Sequence, residues 1–77
     1  MNDIEKIVID CAADAYGADA SCITLDTDIR EELSNQSLLL VAFISSIEEE
    51  LDVQIDFAGA GALKTIGDFV DKVESLK

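Results

Sequence analysis

Ser37 is the residue of this chain whose type and position best suit chemistry. The apolar spacing around it predicts a helix that begins between Asn35 and Ser37 and runs to about Leu51. Ser37 then falls in the first turn, where backbone N–H groups and the helix dipole favour a negatively charged group. A phosphate ester on its hydroxyl would be stabilised in place. The plain structural alternative is that Ser34, Asn35 or Ser37 serves only as a helix cap.

Other chemistry fits poorly. The chain has no His, so Ser/His or Cys/His nucleophile activation and His-containing zinc sites have no residues to use. Its two cysteines, Cys11 and Cys22, form no CxxC pair and cannot make a four-ligand metal site. Asp26, Asp28, Glu31 and Glu32 could attract a divalent cation, but no glycine lies among them and the spacing of a twelve-residue calcium loop is missing. Weak ion screening is the expectation there, with no dedicated metal site. Gly59 and Gly61 form a GxG, yet no βαβ pattern surrounds them and the third glycine of a dinucleotide fingerprint is absent. The acids are spread along helix faces and loops without a basic partner, so an enzyme is not expected.

Charge points to binding. The chain has 17 Asp and Glu against 5 Lys and Arg, a formal charge of −12. That excess disfavours nucleic acid and anionic membrane, both themselves polyanions, and favours basic protein surfaces. It also favours a monomer. Between Glu31 and Leu63 lie seven acids (Glu31, Glu32, Glu48, Glu49, Glu50, Asp52 and Asp56) and no base.

Four elements must position these groups. Ile4, Ile7, Val8, Cys11, Ala12 and Ala15 form one helical stripe, with Asn2 and Glu5 as a capping pair and Gly17 as the stop. Cys11 lies on that stripe as a small core residue. From Gly17 to Gln36 no period is sustained; Ile23, Leu25, Ile29 and Leu33 are expected to pin this long loop to the core, with a short helical turn near Glu31 to Leu33. On the second helix Leu40, Phe43, Ile44, Ile47 and Leu51 share a core stripe. The other side carries Leu38, Val41, Ala42 and Ser45, flanked by Leu39 and Ser46, and is too apolar for a simple solvated face. Such a strip marks a contact surface. Asp56 to Leu63 reads as a loose helical turn weakened by two glycines. The last helix opens at Thr65, with Asp68 completing a capping pair, and presents Ile66, Phe69, Val70, Val73 and Leu76.

Nothing alternates with period two over enough residues to require a sheet, so the fold class is all-α in one domain over residues 1–77. The hydrophobic fraction of 49% argues for a folded core. The start, Met1 to Lys6, lacks the basic and apolar regions of a signal peptide, and the longest apolar run, Leu38 to Ile44, is far short of a membrane span. A cytoplasmic chain with reduced thiols and no membrane insertion is expected.

Ser37-Leu38, Val41, Phe43-Ile44, Ile47-Glu48-Glu49-Glu50-Leu51, Val53 and Ile55 together resemble the second helix of the acyl carrier protein family, whose motif is Asp-Ser-Leu followed by a helix ending in acids and a hydrophobic residue. Thr65-Ile66-Gly67-Asp68-Phe69-Val70 resembles the start of that family's last helix. The resemblance implies a four-helix carrier bundle with a long loop between helices 1 and 2 and a short third helix. It also implies that Ser37 carries a covalent 4′-phosphopantetheine arm, taken from coenzyme A by a phosphopantetheinyl transferase, whose thiol holds acyl groups as thioesters. The partners implied are that transferase and acyl-loading, synthase or acyltransferase enzymes with basic docking surfaces. Leu38, Leu39, Val41, Ala42, Ser45, Glu48 and Glu49 are the docking candidates, and Phe43, Ile44, Ile47, Ala58, Ala60, Ala62 and Leu63 the candidates for sheltering an acyl chain.

The sequence departs from the family pattern beside the serine. Gln36 stands where the motif has Asp, and Leu39 and Ala42 stand where acids usually flank the exposed face. Negative charge is thereby removed from the usual docking region, which favours a carrier for a specialised fatty-acid, lipid or secondary-metabolite pathway with its own partners. The alternatives are an unmodified interaction module that keeps the carrier fold and a peptidyl or polyketide carrier.

Overall fold

The computed structural model describes residues 3–76, and within them the chain folds as four α-helices around one core. Helix α1 spans Asp3–Tyr16, α2 Ser37–Leu51, α3 Phe57–Ala60 and α4 Ile66–Leu76. The long loop between α1 and α2 carries a 3₁₀ turn at Ala20–Cys22 and a wide π-type turn at Ile29–Leu33. No strand occurs among the described residues; Asp28 and Thr65 form a lone antiparallel bridge. The all-α bundle with a long first loop and a one-turn third helix is therefore the fold.

Each helix follows its apolar stripe. In α1, Val8, Cys11 and Ala12 are buried, with Ile4, Ile7 and Ala15 packed at the margin. Gly17 ends it with φ 65°, a left-handed turn in which Ala18 N–H reaches back to Ala13 O at 3.0 Å. The predicted Asn2–Glu5 pair involves Asn2, which lies outside the described residues. In α2, Phe43, Ile44, Ile47 and Leu51 are buried, while Leu40, expected in the same stripe, is only half-buried. Leu76, expected to close the α4 stripe, is exposed in the final turn, and the buried stripe of α4 ends at Val73. Helix α1 packs against both α2 and α4. At the centre the Tyr16 ring meets the edge of Phe43 at 5.9 Å, and Phe43 lies 4.9 Å from Phe69.

The loop is pinned differently from its apolar pattern. Ile23 and Ile29 are buried and Leu33 is partly so, but Leu25 is 37% exposed. Leu25 contributes its carbonyl instead. The Gly67 N–H donates to Leu25 O at 2.8 Å, the Ile66 N–H to Thr27 O at 3.1 Å, and the Ile29 N–H to Lys64 O at 2.9 Å. A Cβ on Gly67 would stand 3.0 Å from the Leu25 carbonyl oxygen, so glycine permits the close approach. Thr27, the buried polar residue of this loop, accepts a hydrogen bond from Thr24 N–H at 2.9 Å through its hydroxyl.

These contacts complete the N-terminus of α4. Two of its first three N–H groups are taken by loop carbonyls, and the third, that of Asp68, donates to the Thr65 hydroxyl at 3.1 Å. Asp68 answers by accepting from the N–H groups of Lys64 (3.0 Å) and Thr65 (3.2 Å). These bonds, Lys64 first, hold the Asp68 carboxyl below its ordinary pKa of 3.8. A lowered folded-state pKa contributes stability that is present above the unfolded value and is lost as pH falls through the folded one. Asp68→Asn is thus expected to destabilise the protein by about 0.5–2 kcal/mol at pH 7, and the gap to wild type should narrow below about pH 4 in urea unfolding.

The cysteines are both free, Cys11 buried and Cys22 exposed. Burial, reinforced by Glu50, Asp14 and Asp10, pushes the Cys11 thiol up to about 11. Iodoacetamide at pH 8 should therefore label Cys22 in the native protein and reach Cys11 only on unfolding, as read by peptide mass.

Candidate functional site

Ser37 is the first residue of α2 and is exposed. Its helix start contrasts with that of α4. The Gln36 side chain makes no cap hydrogen bond, and the first helical N–H to reach a backbone carbonyl is that of Leu40, 3.2 Å from Gln36 O. The amides ahead of it are the donors a helix start leaves over. A phosphate on the Ser37 oxygen would meet this N-terminus and its favourable dipole.

The loop holds this start in position. Asp28 caps the π-type turn by accepting from Glu31 N–H at 3.0 Å, and Glu32 returns a carboxylate to Asp28 N–H at 2.8 Å. Ser34 N–H closes the wide turn onto Ile29 O at 2.9 Å, and the Ser34 hydroxyl accepts from Gln36 N–H at 3.2 Å. Asp28 and Glu32 are therefore committed to backbone amides. No group of three potential metal ligands comes together among the described residues.

Beside Ser37 opens a cleft of about 320 Å³ lined by Tyr16, Ile29, Arg30, Ser34, Asn35, Gln36, Ser37, Leu40 and Leu63. Of the residues proposed from sequence for sheltering a chain, Leu63 lies in this cleft with the serine. Phe43, Ile44, Ile47 and Ala60 are buried in the core behind it, whereas Ala58 and Ala62 are exposed. Tyr16 and Arg30 were not legible as site residues. The signals available were slight: Tyr16 is the sole tyrosine, and Arg30 the one base between Lys6 and Lys64. Arg30 crosses the fold to donate to Gly61 O at 2.7 Å, tying the turn before α2 to the end of α3.

The docking candidates divide into two zones. Leu38 (78% exposed), Val41, Ala42 and Ser45 are exposed along one side of α2, with Leu39 half-buried at its flank. Toward the C-terminal end of α2, Glu49 and Glu50 are exposed. Glu48 is half-buried and its carboxylate accepts from Ile55 N–H at 2.8 Å, so it braces the segment that leads to α3. Asp52 ends α2 in the left-handed region with φ 54° and ψ 50°. Four acids thus crowd the end of a helix whose dipole disfavours them. Glu48, Glu49 and Asp52 line an open groove of about 710 Å³ with Ser45, Val53 and Ile55.

The site thus combines an exposed serine on an open helix start, an adjacent cleft and an acidic flank. Comparison with known proteins shows the family. Residues 6–73 match the family described as the phosphopantetheine attachment site. Acyl carrier proteins from two strains of Porphyromonas gingivalis are each 32% identical to this chain over 74 residues, covering 96% of it and 95% of the relative. The family's members are carriers, not enzymes, and bear a covalently attached 4′-phosphopantetheine. The chain belongs to the acyl carrier protein family.

Proposed function

We propose that Ser37 is the attachment residue and that the protein carries acyl groups for a specialised fatty-acid, lipid or secondary-metabolite pathway. One observation supports this above the rest: Ser37 is exposed at a helix start that has no side-chain cap, next to a cleft. The residues present suit the group. The α2 amides would receive its phosphate, and Leu40 and Leu63 would offer apolar surface beside the serine. When attached, the arm supplies a thiol that holds the cargo as a thioester. The protein body then keeps that thioester at high effective concentration for each docked enzyme.

Docking is proposed to use both zones of α2. The apolar strip of Leu38, Leu39, Val41, Ala42 and Ser45 meets an apolar patch of the partner, and Glu49, with Glu48 behind it, steers a basic rim. The acids at the end of α2 oppose its dipole, so their presence has its explanation in partner binding. With Gln36 in place of the motif's Asp and no acid at Leu39 or Ala42, charge steering near the serine is reduced and partner choice shifts to apolar contact. The partners are a phosphopantetheinyl transferase and loading, synthase or acyltransferase enzymes. Residues 1–77 act as one carrier domain, a cytoplasmic monomer. No helix among the described residues is long and apolar enough to cross a membrane.

The direct test is intact mass after incubation with coenzyme A and a broad-specificity phosphopantetheinyl transferase. A gain of one phosphopantetheine on the wild type, absent from Ser37→Ala, is expected. No gain with this transferase and with that of the source organism would favour the unmodified interaction module.

Glu48 and Glu49 should separate bracing from docking. Glu48→Ala is expected to cost about 1–3 kcal/mol in urea unfolding, because it strips a charged acceptor from Ile55 N–H. Glu49→Ala should leave stability within about 0.5 kcal/mol. It should nevertheless raise the transferase KM for the carrier about 1.5- to 5-fold, an effect that fades as salt is added.

A further inference from the structure

The chain has 17 acids and 5 bases, yet the cleft beside Ser37 reverses that balance. Of the described residues that line it, Arg30 alone is charged. Gln36, also in its wall, stands where the family motif has an acid, so no carboxylate at that position competes for the guanidinium. Asp28 and Glu32, close to Arg30 in sequence, commit their carboxylates to the amides of Glu31 and Asp28, at 3.0 and 2.8 Å. Arg30 itself is exposed in the π-type turn. Its hydrogen bond goes to a neutral carbonyl, Gly61 O at 2.7 Å, and none to a carboxylate occurs among the described residues. Gly61 lies just before Leu63, which lines the same cleft, so this bond holds the guanidinium at the opening. A guanidinium carries several N–H donors in a planar fork, and a single carbonyl leaves the others to donate.

We propose that Arg30 is a positioning residue for the arm, its guanidinium donating to the phosphodiester on Ser37 while one N–H stays on Gly61 O. A phosphodiester is an anion at neutral pH, and a body of formal charge −12 repels it from most of its surface. The Arg30 side of the cleft is the exception, and a guanidinium matches phosphate oxygens in both charge and geometry. Because Gly61 O already holds the side chain, Arg30 loses little further rotamer freedom on meeting the phosphate. The inference rests on Ser37 being the attachment residue.

The test compares unloaded protein with protein loaded from coenzyme A by a broad-specificity phosphopantetheinyl transferase, with loading verified by intact mass and Ser37→Ala alongside. In wild type the Arg30 Nε–H NMR signal should move on loading and return toward its unloaded position as salt is added, a readout that needs no variant at Arg30. Arg30→Gln removes the tie to Gly61 in both forms but the phosphate contact only in the loaded one. It should therefore raise the urea-unfolding equilibrium constant about 1.5- to 5-fold more in loaded than in unloaded protein. Arg30→Lys, which keeps the charge without the fork, should retain part of that difference. An equal cost of Arg30→Gln in both forms, with the Arg30 signal unmoved on loading, would overturn the proposal and leave Arg30 as a tie between the turn and α3. Failure of wild type to gain the arm, or a gain that persists in Ser37→Ala, would overturn Ser37 as the attachment residue, and this inference with it.

Discussion

Three backbone hydrogen bonds between the first loop and the N-terminus of α4 hold the rest of this small fold in register. The amides of Ile66 and Gly67 donate to the carbonyls of Thr27 and Leu25, and the amide of Ile29 donates to Lys64. The loop runs from Gly17 to Gln36, a length that would ordinarily be a source of disorder. Stitched to α4, it becomes a fixed strap. The strap sets the π-type turn at Ile29–Leu33, that turn sets Ser34 to Gln36, and these set where α2 begins. Ser37 is thus positioned from the far end of the chain.

The two helix starts contrast. That of α4 is closed on all sides by Thr65, Asp68 and the loop carbonyls, and its role is to hold. That of α2 has no side-chain cap and presents an exposed serine. A better cap at Gln36 would stabilise the helix but would compete for the amides that suit a phosphate. The C-terminal end of α2 tells the same story with opposite sign. Glu48, Glu49, Glu50 and Asp52 lie where the dipole disfavours them, and Glu48 recovers part of that cost through Ile55 N–H.

Much of the architecture is legible from residue spacing, because each long helix buries one stripe. Val8 and Cys11, Phe43 and Ile47, and Phe69 and Val73 all lie on the side that their period indicates. Ser37 and the capping pair of Thr65 with Asp68 are legible as well, since caps are local. The course of the loop is not. Leu25 reads as an anchor by its side chain but anchors by its carbonyl, and no side-chain pattern encodes a carbonyl's partner. The cleft is hidden for a related reason. It joins Tyr16, Arg30 and Leu63 from three distant parts of the chain, and Arg30 meets Gly61 across 31 residues. Leu40 packs against the core but is only half-buried where it borders the cleft, and Leu76 is exposed in the last turn of α4. The two roles of the acidic run also needed the structure, since Glu48 and Glu49 are adjacent in sequence and only one reaches an amide.

Native-state hydrogen exchange tests most directly whether the strap governs the fold. The amides of Ile29, Ile66 and Gly67 should exchange only through global unfolding, with protection equal to that of the α2 core at Ile47, while those of Ala60 and Gly61 in the single turn of α3 should exchange through local opening. Protection of Gly67 and Ile66 no greater than that of α3 would contradict the account, because the loop would then be able to leave α4 without disturbing the rest of the molecule.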